Sequence, residues 1–86
     1  MGRFLFFNGG DFWKFINYKD INNDSNVTHY EIGETYIRVK FRETAKIYQY
    51  SYRKAGRFHV DKMKILARSG NGLNAYINRN VKFLYD

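Results

Sequence analysis

The chain reads as an α+β domain: an antiparallel β-meander of three or more strands, with two C-terminal helices packed on one face. Three observations predict it. Between residues 27 and 52, apolar and polar side chains alternate with a period of two, as in strands that bury one face. From Val60 the period becomes helical, with Val60, Met63, Leu66 and Ala67 on one stripe and Asp61, Lys62, Lys64 and Arg68 off it. After Ser69-Gly70-Asn71-Gly72 breaks that helix, Leu73, Ile77 and Val81 recur at a spacing of four and predict a second one.

The elements follow in order. Phe4–Phe7 is a short apolar run and reads as a strand. Phe12–Tyr18 places Phe12, Phe15 and Ile16 on one helical face and alternates poorly, so a short helical segment over the sheet or a subunit interface is expected. The turn-rich Asn22-Asn23-Asp24-Ser25-Asn26 closes this part of the chain. Val27–Ile32 reads as a strand, and Gly33-Glu34 as a two-residue hairpin connection with glycine at its first central position. Thr35–Arg42 alternates cleanly, with Ile37, Val39 and Phe41 opposite Tyr36, Arg38, Lys40 and Arg42. Ala45–Tyr52 sets Tyr48, Tyr50 and Tyr52 against Ile47, Gln49 and Ser51, and either side of that strand suits a helix layer. Residues 53–57 form a basic loop, and Lys82–Asp86 either extends the last helix or returns as a strand. The organisation is thus an aromatic N-terminal extension, residues 1–24, packing on the domain or a subunit interface, followed by an α+β domain over residues 25–86.

Eighty-six residues provide for one hydrophobic core. Without cysteine the chain has neither disulfides nor thiolate metal ligands, and no cofactor is expected. Aromatic residues make up 20% of the sequence, more than a small core needs, so some rings face solvent, a ligand or a second copy; a homo-oligomer is expected. No segment approaches the ~20 apolar residues of a membrane span. The run Arg3–Phe7 ends at Asn8-Gly9-Gly10-Asp11, too early for a signal sequence, and the chain is expected in the cytoplasm without a membrane partner.

Charge is concentrated. Arg38 through Arg68 holds ten cations against Glu43 and Asp61, a local +8 that leaves −1 for the rest of a chain of net charge +7. Tyr48, Tyr50, Tyr52 and Phe58 are threaded through the same segment. A localised positive field with aromatic faces suits a phosphate-bearing partner, and points to binding rather than catalysis.

Several clusters carry this reading, each beside a plainer one. Arg53, Lys54, Arg57 and His59 lead into the helix at Val60, where unpaired N–H groups and the helix dipole favour a phosphate; Asp61 competes for that role from the first turn. Tyr48 and Tyr52 are candidates to stack a base, although a tyrosine row is also an ordinary half-buried strand face. Arg38, Lys40 and Arg42 either extend the field or form a solvated sheet face that deters edge pairing. Asn74 and Asn78, one turn apart, read a base edge or face water, and the Gly70/Gly72 loop is explained by a helix C-cap. His29 and His59 stand far apart in sequence, no carboxylate pair suggests a metal, and a metal-independent His-Lys-Tyr nuclease is the weakest reading.

Ser25-Asn26-Val27, Tyr30, the Ile37/Val39/Phe41 strand, Tyr48-Gln49-Tyr50, a helix ending near Leu66 and Ser69-Gly70-Asn71-Gly72-Leu73-Asn74-Ala75-Tyr76-Ile77 together resemble the KTSC domain. That domain occurs at the C-terminus of some lysyl-tRNA synthetases and as solitary bacterial or phage proteins. The resemblance covers roughly residues 25–82 and implies RNA binding. The family's proline between the tyrosine strand and the helix is missing here. Asn78 stands where an arginine commonly follows the isoleucine, with Arg79 one position on.

The expected function is non-catalytic binding of a nucleotide ligand, either short RNA or a small or cyclic oligonucleotide. Arg53, Lys54 and Arg57 would hold phosphates, and Tyr48 or Tyr52 would stack a base. By analogy of size, a phage sponge that sequesters a cyclic-nucleotide immune signal fits this description. The competing class is a protein-interaction inhibitor or adaptor that sets the basic face against an acidic partner.

Overall fold

A computed structural model of the chain describes residues 14–86 and, before them, the backbone of the strand Phe4–Phe6. The elements are strands β1 (Phe4–Phe6), β2 (Ile16–Asn17), β3 (Val27–Ile32), β4 (Tyr36–Phe41) and β5 (Lys46–Ser51), then helices α1 (Arg57–Ser69) and α2 (Leu73–Tyr76), the last running into a π-helical turn, Ile77–Val81. The strands form one antiparallel sheet in the order β1-β5-β4-β3-β2. The architecture is the α+β arrangement that the sequence predicts.

Register explains the layers. Ile37 pairs with Tyr50, while Val39 pairs with Tyr48 on one side and Tyr30 on the other, so these side chains share a face. Helix residues Val60, Met63, Ala67, Leu73, Ile77 and Val81 pack on that face and complete the core. The tyrosine row therefore points toward the helices, and Tyr50 is only 1% exposed. Ile47 is also buried, on the opposite face, which is why periodicity alone left both sides open.

Two local expectations change. Ile16–Asn17 is a strand paired with Tyr30 and His29, not a helix; Phe12 and Trp13 lie outside the described residues. The aromatic spacing there fits a helical face, but the free edge of β3 captures the backbone instead. Tyr18 follows into the core, and its hydroxyl accepts the Leu73 N–H at 3.2 Å. The hairpin turn lies one residue later than expected. Gly33 N–H donates to Tyr36 O at 2.9 Å, leaving Glu34-Thr35 as the connection. Gly33 has no left-handed φ; a Cβ there would meet the Tyr36 ring at 2.2 Å, so that ring would have to move aside.

Gly70 ends α1 at φ 76°, with its N–H shared between Leu66 O and Ala67 O, and its carbonyl accepts the Ile21 N–H at 2.9 Å. A Cβ at this position would lie 2.6 Å from the Lys19 Cβ. Combining left-handed strain with that contact, Gly70→Ala is expected to cost about 2 kcal/mol. A drop in the urea midpoint at unchanged slope checks this.

The last residues return along the sheet without forming a strand. Asp86 N–H donates to Gln49 O at 2.8 Å, and its carboxylate accepts from Gln49 Nε2 and Ser51 Oγ, each at 2.7 Å. Gln49 Oε1 in turn accepts from Arg38 Nε at 2.9 Å, and Arg38 pairs with Glu31 at 3.2 Å. A polar chain thus runs along the sheet face opposite the helices, from β3 to the C-terminal segment. No described helix is long and apolar enough to cross a membrane.

Candidate functional site

After β5, residues 52–56 form a compact turn. Lys54 and Ala55 donate N–H bonds to Ser51 O, and Gly56 donates to Tyr52 O. Gly56 adopts φ 98°, ψ 141°, a conformation that favours glycine, and redirects the chain into α1. The helix begins at Arg57, three residues before Val60. No side chain caps this end and no acid stands in its first turn, so the leading N–H groups of α1 lack intrahelical acceptors.

This start displaces Asp61 from its expected role. It lies beyond the first turn, and its carboxylate is already engaged: Tyr52 Oη donates to it at 2.5 Å, with Arg57 Nε at 3.6 Å and Lys64 Nζ at 3.9 Å. Lys64 is buried, donating to Glu34 O at 3.1 Å and to Tyr52 Oη at 3.4 Å. The Tyr52 ring lies under Arg57 at 5.3 Å and Lys64 at 5.0 Å. Tyr52 is thus a half-buried organiser of cations, with Arg57 and Lys64 already against its ring.

Arg53 and Lys54 are exposed in the turn, and the Arg57 side chain is 78% exposed. Next to them stands Phe58, 77% exposed and edge-on to His59 at 5.6 Å. His59 Nδ1 hydrogen-bonds Tyr76 Oη at 2.7 Å, tying α1 to α2, and burial raises the pKa of the Tyr76 phenol. Phe58 is the residue that sequence reasoning left out of the site. Its signal depended on the helix beginning at Arg57, which turns this ring outward.

The structure does not bring the cations of β4 here. Arg38 and Lys40 project from the face opposite the helices, because alternation along a strand sends them away from Ile37 and Val39. Arg38 is engaged by Glu31 and Gln49. Lys40 pairs across from His29, whose pKa is lowered by burial and by that ammonium. Arg42 stands at the far end of β4 and donates to Ser25 O at 2.9 Å. The localised positive field expected from the sequence is therefore divided over two faces and both ends of the sheet. Asn74 is elsewhere again, in a recess of about 270 Å³ shared with Asp20, Asp24 and Asn71, whose acids disfavour a phosphate. Tyr48 lies within β5, four residues before Tyr52, edge-on to Phe41 and Tyr85.

No protein-family model, curated protein or solved structure matches the chain.

Proposed function

We propose that the protein binds a single-stranded nucleic acid, RNA in the first instance, without catalysing a reaction on it. One observation carries this reading: Arg53, Lys54 and Arg57 surround a helix start that no side chain caps and no first-turn acid neutralises, with Phe58 exposed beside them. Backbone N–H groups and guanidinium donors at one place suit phosphate oxygens, and an adjoining ring suits a base. Cations this exposed contact a partner from one side. That favours a strand crossing the surface over a cyclic nucleotide, which needs enclosure. The KTSC-like residues, with their implied RNA partner, point the same way.

Fluorescence anisotropy with a labelled short RNA tests the proposal. Three phosphate contacts give a log–log salt slope of about −2, at about −0.7 per contact on a single strand. The Arg53→Ala/Lys54→Ala/Arg57→Ala variant should fold normally, bind more weakly and lose most of that slope. Equal binding and slope in the variant would reject the site. A thermal shift with cyclic dinucleotides but none with RNA would favour the enclosed ligand instead. Mass measurement of the purified protein checks the homo-oligomer that its aromatic surplus predicts.

A further inference from the structure

A second constellation lies where β5, the π-helical turn and the C-terminal residues meet. Here Phe41, Tyr48, Phe83 and Tyr85, with Asn78 and Lys82, border a cleft of about 230 Å³ whose lining includes no Asp or Glu. We propose that this cleft takes one unstacked nucleobase of a bound strand, with aromatic rings as its walls and Asn78 reading the base edge. The inference rests on the nucleic-acid reading above and names a separate subsite within it.

Size sets the ligand class. An engineered cavity of about 150 Å³ holds benzene, and sites for drug-sized molecules run to about 300–1,000 Å³. The cleft falls between these, at the scale of one or two fused rings. Its walls are set in place. The Tyr48 ring stands nearly perpendicular to Phe41 (5.5 Å, 79°) and to Tyr85 (4.9 Å, 87°), and Tyr85 meets Tyr50 in the same way (6.4 Å, 89°). Asp86, bonded to Gln49 and Ser51, anchors the backbone next to Tyr85. Such rings lose little conformational freedom when a flat ligand enters.

Polarity sets the occupant. Asn78 and Lys82 lie four residues apart on exposed positions of the turn region and both border the cleft. An asparagine amide offers a donor and an acceptor side by side, the pair that matches an adenine edge. Lys82 Nζ, 5.4 Å from the Phe83 ring centre, adds a cation for the adjoining phosphate. Along β5, Tyr48 is four residues from Tyr52, about 13 Å, so a mononucleotide does not span both sites. A strand gripped at the start of α1 presents a neighbouring base to the cleft.

Anisotropy with an intact RNA and with the same strand carrying abasic sugars separates the two readings. The intact strand should bind about 5- to 150-fold more tightly, the range of base–aromatic stacking, with the same salt slope because the phosphates are unchanged. Asn78→Ala, which alters an exposed side chain and should fold as wild type, and Tyr85→Leu should each reduce that difference. Equal affinity for both strands, at the expected slope, would overturn the base pocket and leave nucleic-acid binding standing. A base preference that survives both substitutions would place base recognition elsewhere, such as at Phe58, and also overturn it. If neither strand binds, both readings fall.

Discussion

Truncating Tyr50 to alanine is expected to cost about 3–5 kcal/mol, the range for removing a buried aromatic ring. Tyr50 is only 1% exposed and is the largest fully buried side chain of the described core. It pairs across the sheet with Ile37, lies under the helix layer and supports Tyr85, so its loss opens space among three elements at once. An 86-residue domain has a total stability of about 4–13 kcal/mol by size. The variant is thus expected to lose between about a quarter and all of it, read as a large fall in urea midpoint or as unfolding by circular dichroism at ambient temperature. Phe58→Ala and Phe83→Ala are the controls. Their rings are 77% and 75% exposed, and each change should stay within about 0.5 kcal/mol. Equal losses at all three positions would contradict this account of the core.

Alkaline pH should destabilise the protein through the same ring. Burial is the largest cause raising the pKa of Tyr50, with Tyr48 and Tyr85 adding to it, and burial also raises Tyr18 and Tyr76. A phenol that resists ionisation when folded holds a proton that the unfolded chain releases once pH passes about 10. The folded state then binds more protons than the unfolded one, so stability is fully present below that pH and falls as pH rises above it. Each unit of displacement is worth about 1.4 kcal/mol, and Tyr50 is displaced furthest. Urea midpoints measured from about pH 8 to about pH 11 should decline steeply in the wild type and less so in Tyr50→Phe. Tyr76→Phe should change the decline far less. An identical decline in wild type and Tyr50→Phe would place the alkaline sensitivity elsewhere.

Much of this fold was legible because its central strands bury one face and its helices one stripe. Val27–Ile32, Tyr36–Phe41 and Lys46–Ser51 all lie where alternation put them. The pair Ile16–Asn17 was not legible, since two residues carry no period and strand pairing there is decided by the neighbouring edge. Nor was the π-helical turn, because Leu73, Ile77 and Val81 bury equally well in either helix. The site was read less well than the fold, for a geometric reason. Alternation along β4 sends Arg38 and Lys40 away from the helices, while Arg53 and Lys54 sit in the turn after β5, so one basic stretch of sequence is split in space. Asp61 was read as a helix-start acid because α1 begins with Arg57-Phe58-His59, residues that carry no apolar stripe.

The polar chain from Glu31 through Arg38 and Gln49 to Asp86 has an electrostatic corollary. It offsets positive charge with carboxylates on the sheet face opposite the helices, while Arg53, Lys54, Arg57, Lys62 and Arg68 stand exposed in the turn after β5 and along α1. Charge is therefore unevenly compensated among the described residues. If the proposed nucleic acid is the partner, its field would favour approach by the helical side, and the association rate should then fall with ionic strength.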